Sequence, residues 1–466
     1  MISRLSKIRN APPEVFHNRI VLVGIILAVW LLIKLLEIIL PNKVLEALPG
    51  PFPLAMLFVF IATMSFYMVV TYLAQKWKAR LKREQLIPSE SLQKPSRYPL
   101  VDIFIAEHNE RCVIIDTLEN ILKIDYPNYK IYVIDDRSTD GTVEAVKDFI
   151  KENHLADKIT LIARPIEAFP GKAAALNEAL RQSNGELVAV FDADARVQPD
   201  CLRLSLHYFN DPEVGAVQFQ KKIRNAGFNT LAFCQDLEFA YDTYLQVGRD
   251  SLDGFVELRG SGQITTRKCL EEVGGWDERA LTEDLEISTK INAAGMRIRF
   301  APEIVAEEEA VLTTLAFIRQ RRRWAEGSLR RYLIHFDKFI NPKSKLSLVK
   351  RLDIIPFLSQ FAIPIWVFFD VIVEIFRYVT KQPTYITTLM LASSLVSISM
   401  WISITIGIRR WRNFSTFQSI RYGVLAFSYG MAHWPPIVLW TIRKVIFGRR
   451  PTEWTKTPRM GDLIPS

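Results

Sequence analysis

Hydrophobic and polar positions divide the chain into three regions. Ile20 to Leu40 is apolar except for Lys34 and Glu37, and Leu54 to Ala74 repeats the pattern after a turn-rich link from Pro41 to Pro53. Each run has the roughly 20 residues a spanning helix needs, and Lys34 can snorkel. From Pro99 the pattern turns globular. Short strand-like runs at Val101–Ala106, Lys130–Ile134, Lys158–Ala163 and Leu187–Phe191 alternate with helix-like stretches such as Val113–Leu122 and Thr142–Glu152. That rhythm predicts βαβ units and a parallel, Rossmann-like α/β sheet. Beyond Pro342 three further apolar runs follow, Ile354–Phe376, Tyr385–Ile408 and Tyr422–Phe447. Pro435-Pro436 predicts a break in the third, and with it a re-entrant or interfacial hairpin. The expected organisation is a transmembrane hairpin with a basic linker over 1–98, a catalytic domain over 99–341, and transmembrane or interfacial helices with a basic tail over 342–466.

Composition and charge sharpen this picture. The chain has 466 residues, 49% of them hydrophobic, and a net charge of +9. Its basic residues cluster beside the apolar runs, as in Lys76, Lys78, Arg80, Lys82 and Arg83, or Arg409, Arg410, Arg412 and Arg421. This placement favours anionic membrane lipids over nucleic acid as the partner, and no nucleic-acid-binding motif is present. Basic flanks at both outer ends of the N-terminal hairpin predict a multi-pass membrane protein whose catalytic domain faces the cytoplasm. No cleavable signal is evident. Cys112, Cys201, Cys234 and Cys269 show no zinc-like spacing and read as reduced thiols.

The candidate chemistry starts at Asp192-Ala-Asp194, where an apolar strand ends. In open α/β sheets ligands bind at that edge, and two carboxylates at i and i+2 can converge on Mg²⁺ or Mn²⁺ shared with substrate phosphates. Taken alone, the pair reads as readily as a solvated loop. Ile105-Ala-Glu-His-Asn-Glu110 and Val133-Ile-Asp-Asp-Arg-Ser-Thr-Asp-Gly-Thr142 end the first two strands. Asp136 there can accept from a uracil N–H or from ribose hydroxyls, although Asp, Ser, Thr and Gly also favour turns and caps for their own reasons. Lys172, in Pro170-Gly-Lys-Ala-Ala-Ala-Leu-Asn177, can reach a phosphate or a base, or be a solvated surface lysine. No GxGxxG opens the first helix, which excludes the dinucleotide fingerprint.

These motifs are followed in order by Gly260-Ser-Gly262, Gly274-Gly-Trp276, Thr282-Glu-Asp284 and Gln320-Arg-Arg-Arg-Trp324. The whole series resembles the family 2 glycosyltransferases, in the branch that includes cellulose, chitin and hyaluronan synthases, over about residues 99–335. The resemblance implies a GT-A fold, a nucleotide-sugar donor, a divalent cation and inversion at the anomeric carbon. It implies that Asp136 binds uridine with Glu110 and Lys172 nearby, and that Asp192 and Asp194 serve the metal and diphosphate. His108 stands where many members carry a Tyr that stacks on the base. Asp284 would be the general base, with Glu283 as its rival. Gln320, Arg323 and Trp324 match QxxRW: Arg323 would hold the departing diphosphate and Trp324 the acceptor mouth. A basic helix lying on anionic lipid is a compatible reading of Arg319 to Arg323.

Val214-Gly-Ala-Val-Gln218, Glu257-Leu-Arg-Gly-Ser-Gly-Gln263, Arg323-Trp-Ala-Glu-Gly-Ser328, Arg331-Tyr-Leu333 and Trp454-Thr-Lys-Thr457 are also similar to the cyanobacterial glucosyltransferases that make β-monoglucosyldiacylglycerol. That likeness implies UDP-glucose as donor and 1,2-diacylglycerol as acceptor. A processive β-polysaccharide synthase shares several of these motifs and is the alternative. A protein that only binds nucleotide sugar would be expected to have lost Asp284, an acid of the DxD, or Arg323, and none is missing.

Overall fold

A computed structural model describes residues 69–71, 73, 74, 76, 97–341, 343–381 and 386–448, without the side chains of 359, 362–374 and 386–396. The first expected span, most of the second, and Trp454–Thr457 lie outside these residues.

The predicted alternation is present. Strands β1 (Val101–Glu107), β2 (Tyr129–Asp135), β3 (Ile159–Ala163) and β4 (Leu187–Asp192) are separated by helices α1 (Ile114–Ile121), α2 (Thr142–Glu152) and α3 (Lys172–Gln182). Successive side chains point to opposite faces of a strand. Ile103 and Ile105 therefore enter one core with Ile131, Val133, Ala189 and Phe191. Phe104 and Ala106 enter another with Tyr132, Ile134, Val188 and Val190. Covering both faces with helices is what lets these strands be apolar throughout.

The sheet is larger and more mixed than a run of βαβ units. After β5 (Arg196–Val197) and α4 (Cys201–Ser205) come β6 (Val214–Ile223), α5 (Thr230–Ser251), β7 (Gln263–Thr266), α6 (Arg267–Glu272), α7 (Glu283–Ala293) and β8 (Arg297–Glu308). The eight strands run in the order β3-β2-β1-β4-β7-β6-β8-β5. β7 is antiparallel to both β4 and β6, and β5 is antiparallel to β8. The parallel half puts Glu107 level with Asp135, and Ala106 level with Asp192, so the candidate motifs share one edge.

Among the described residues five helices follow: α8 (Thr314–Ile334), α9 (Phe336–Ile340), α10 (Leu348–Val379), α11 (Ile386–Arg412) and α12 (Thr416–Phe447). The last three coincide with the predicted apolar runs, but their expected role is corrected. Among the described residues no helix is long and apolar enough to cross a membrane. This overturns the expectation of a multi-pass integral membrane protein with its catalytic domain facing the cytoplasm. Part of their described apolar surface is engaged by the domain itself, while other positions, such as Ile375, Phe376, Phe417 and Phe447, are exposed. Ile404 and Ile408 pack with Leu237 and Ala240 of α5. Ile437, Val438 and Val445 pack with Ala325, Leu329 and Leu333 of α8. Arg412, expected at an anionic surface, instead grips Asp236 through Nε at 2.6 Å and NH2 at 2.8 Å. The prolines do not break α12 either: it runs on through Pro435 and Pro436. Burial of Ile437 and Val438 immediately after them offsets the lost backbone bonds. All four cysteines are free thiols.

Candidate active site

The loops leaving β1 and β2 interlock. Asn109 and Arg137 both adopt left-handed backbone, at φ 57° and 66°. The Asn109 amide donates to Ser138 Oγ at 2.7 Å, and the Thr139 amide to Asn109 Oδ1 at 2.7 Å. Strained conformers of this kind persist where the surroundings over-determine them. The three aspartates of the second loop divide their work. Asp135 accepts from the Ser138 amide and Asp140 from the Thr142 amide, which is turn chemistry. Asp136 is fully buried and accepts from Arg164 at 2.6 Å, Arg137 at 3.1 Å and the Gly171 amide at 2.8 Å. His108 Nδ1–H donates to the Asp136 carbonyl at 2.7 Å, and Asn109 donates to His108 Nε2 at 3.2 Å. Behind them Glu107, buried beside Asp135, is pushed up to about 10 by burial and by that neighbour's charge, so it is neutral at pH 7. Glu110 is buried, and its amide meets Thr142 Oγ1.

Gly171, at φ 119°, turns the chain into α3 and lets Lys172 enter an acidic hollow. Lys172 Nζ lies 2.5 Å from Asp192 and 3.1 Å from Glu283. Burial opposes its charge, but those carboxylates outweigh burial and raise its pKa. The far wall of the hollow is the strap from Glu257 to Gly262. A Cβ on Gly260 would sit 3.5 Å from Asp284 Oδ2, and 3.9 Å from both Asp192 Oδ2 and Lys172 Nζ. The DxD strand end and the Thr-Glu-Asp motif, far apart in sequence, thus face one point. Asp284 is pushed up to about 6, by burial first and Glu283 second, against the pull of Lys172, its neighbour's amide and Lys221.

Hydrogen bonds fasten the strap on every side. Asp192 N–H donates to Ser261 Oγ, Gly262 N–H to the Val190 carbonyl, and Arg259 N–H to Gln218 Oε1. Leu258 N–H donates to Ser288 Oγ, whose own hydroxyl donates to the Asp284 carbonyl. Beneath lies a buried ion cluster. Glu257 meets Arg331 at 2.6 Å and Arg249 at 2.9 Å, and Arg249 also meets Asp353 of α10 at 2.8 Å. Arg331 donates in addition to the Leu285 carbonyl, next to Asp284.

Asp194 is buried, and its carboxylate accepts from the Glu309 amide at 2.9 Å. Among the described residues no group of three or more His, Cys, Asp or Glu converges to hold a metal. The predicted ligands Asp192, at the end of β4, and Asp194, two residues on, would be the carboxylates to hold a divalent cation. That suits Mg²⁺ or Mn²⁺, which keep waters and take further ligands from substrate phosphates. On α8, Gln320, Arg323, Trp324, Gly327 and Arg331 recur at three- and four-residue intervals and share one face. A Cβ on Gly327 would lie 2.5 Å from Thr282 Oγ1, so this face meets α7 where Glu283 and Asp284 begin. Arg323 stands one turn, about 6 Å of rise, from that contact.

Some participants carried no obvious sequence signal. Arg164 follows β3 and reaches Asp136 only because β3 neighbours β2. Lys221, from β6, pairs with Glu308 and donates to the Arg259 carbonyl at 3.0 Å, bringing a second ammonium beside the hollow. Conversely, Asn177 and Trp276 are structural: each bonds the other's backbone or side chain, at 2.9 and 3.0 Å.

A parallel sheet edge carrying the β1 and β2 loops, joined through an antiparallel strand to an acidic hollow, is the arrangement of a GT-A fold. The fold is shared with the mannosyltransferase PcManGT of Pyrobaculum calidifontis, solved with GDP-Man and Mn²⁺, at a TM-score of 0.52 and 23% identity over 80% of this chain and 98% of that one. The family described as "Glycosyltransferase like family 2" matches residues 99–327. The β-monoglucosyldiacylglycerol synthase of Nostoc sp. is 33% identical over 371 residues, 78% of this chain and 77% of that protein. The poly-β-1,6-N-acetyl-D-glucosamine synthase of Staphylococcus epidermidis is 29% identical over 372 residues, 78% and 85% of the two chains. The chain belongs to the family 2 glycosyltransferases and is a glycosyltransferase enzyme.

Proposed function

We propose that this enzyme transfers glucose from UDP-glucose to 1,2-diacylglycerol with inversion, giving β-monoglucosyldiacylglycerol. The observation that carries the reading is the convergence of Asp192, Asp284 and Lys172 on the space at Gly260. The relative from Nostoc sp., named for this product, supports the choice of sugar and acceptor. In this scheme the uracil sits at Asp136, with Arg164 and His108 beside it and Glu110 behind. Lys172 leaves its partners Asp192 and Glu283 to meet the donor's phosphates, so a salt bridge inside the protein is exchanged for one to substrate. A divalent cation, Mg²⁺ or Mn²⁺, held by Asp192 and Asp194 would neutralise charge on the departing UDP. Arg323 adds a planar, bidentate donor for the same charge, while Gln320 and Trp324 border the acceptor, to which Trp324 gives an apolar edge. Asp284 takes the proton from the acceptor hydroxyl on the face opposite the leaving group. Its raised pKa makes it a stronger base than an exposed carboxylate while leaving it ionised at neutral pH.

The test supplies labelled UDP-glucose and Mn²⁺ to the purified enzyme, with and without detergent-dispersed diacylglycerol. Label passing into a chloroform-soluble product is expected. Label in a high-mass, water-soluble product would overturn the lipid reading in favour of a processive polysaccharide synthase. Asp284→Asn should keep UDP binding and lose transfer by about 10²–10⁴-fold; normal turnover would refute its role as base.

A further inference from the structure

Arg321 occupies an unspecified position of Gln320-x-x-Arg323-Trp324, yet it bridges that turn of α8 to α5. Its side chain is buried. NH1 donates to Gln320 Oε1 at 2.7 Å, and NH2 donates to Glu238 of α5 at 2.7 Å. The guanidinium carbon also lies 4.1 Å from the centre of the Trp324 ring and 4.7 Å from that of Phe317. Tyr429 of α12 donates to the same Glu238 carboxylate at 3.0 Å. Phe317 packs edge-on against His433, one turn further along α12, at 5.0 Å.

We propose that Arg321 is a positioning residue that sets Gln320 and Trp324 together at the acceptor side of the site, itself held in place by Glu238 and α12. The proposal rests on the assignment of Gln320, Arg323 and Trp324 made above. Only a planar cation can donate in its plane to a glutamine and a carboxylate while laying a face on an indole. With one face of Trp324 covered by Arg321, the opposite face is the one an acceptor packs against. α5 and α12 thereby act on acceptor geometry without touching the acceptor.

The full-length enzyme with Mn²⁺ provides the test, comparing Arg321→Met, Arg321→Lys, Trp324→Ala and the Arg321→Met/Trp324→Ala double variant. UDP affinity is measured by calorimetry, and acceptor KM and kcat with dispersed diacylglycerol. Arg321→Met should raise acceptor KM about tenfold while UDP affinity is retained. Arg321→Lys, which keeps the charge and loses the plane, should resemble Met. The double variant should be no worse than Trp324→Ala, because both remove one coupled unit. Full rescue by Lys, or additive losses, would overturn the proposal. If Trp324→Ala is impaired and Arg321→Met is not, Arg321 has no positioning role. If Trp324→Ala transfers normally, the motif assignment itself fails. Should Arg321→Met not fold, Glu238→Gln tests the same tether: a raised acceptor KM supports the proposal, and an unchanged one overturns it.

Discussion

Replacing Gly260 with alanine separates the needs of the fold from those of the chemistry. The residue sits at φ 84°, where a Cβ costs roughly 1–2 kcal/mol. The added methyl meets nothing closer than 3.5 Å, so no steric clash adds to that cost. A loss of this size lowers Tm by only about 1–2 °C in a chain of this length. Activity should fall much further. The methyl occupies the point that Asp284, Asp192 and Lys172 face, and displacing a reacting atom by even about 1 Å can cost on the order of 10²-fold. UDP binding should survive, because Asp136 and Arg164 lie on the far side of Lys172. The assays are thermal melting, UDP calorimetry and initial rates of glucosyl transfer. A variant that melts as expected and still transfers within about tenfold of wild type would refute the placement of the reaction at this hollow.

Two further outcomes follow from the electrostatics. The base must be ionised, so kcat/KM should drop about tenfold per pH unit below about 6 and level off above it. Glu283→Gln removes a charge that raises Asp284 and should move this limb to lower pH; Lys221→Met removes one that lowers it and should move the limb upward. A limb indifferent to both substitutions would point to another base. Glu257→Ala leaves Arg331 and Arg249 buried without their shared partner, costing about 3–5 kcal/mol. Three guanidinium groups hold the Glu257 carboxyl below its usual range despite burial, so its stabilisation is present at neutral pH and is lost only as pH falls below the ordinary carboxylate value. Melting curves at pH 7 should therefore show a drop in Tm of about 3–5 °C, and a neutral result would refute the network's role.

The strands around the nucleoside edge were legible because each is a short apolar run ending in polar turn residues, and both their faces are buried. The same logic failed for β5, β7 and the reach of β6, whose pairings depend on partners far away in sequence. Asp136 was nominated from its motif, although Asp135 and Asp140 suit a turn equally well; what sets it apart in the fold is its partners, Arg164, Arg137 and the Gly171 amide. Arg164, Lys221 and Glu308 became visible once the strand order was known. The C-terminal runs illustrate the opposite error. Apolar length reads alike whether the helix faces lipid or another helix, and here α5 and α8 take up part of that surface. The two prolines of α12 were over-read for a related reason, since local propensity ignores the packing that follows them.

The way the strap is fastened also has a kinetic meaning. The loops proposed for the nucleoside close among residues 107 to 172, with contacts 28 to 35 positions apart, such as Arg164 and Gly171 with Asp136. The hollow needs Asp194 to find Glu309, 115 positions later, and Glu257 to find Arg331, 74 positions later. During synthesis, then, the loops proposed to hold the nucleotide can close well before the hollow proposed for the reaction. A ribosome-bound intermediate at that stage would be a binder awaiting its catalytic half, and the nucleotide could act as a scaffold for the remainder of the fold.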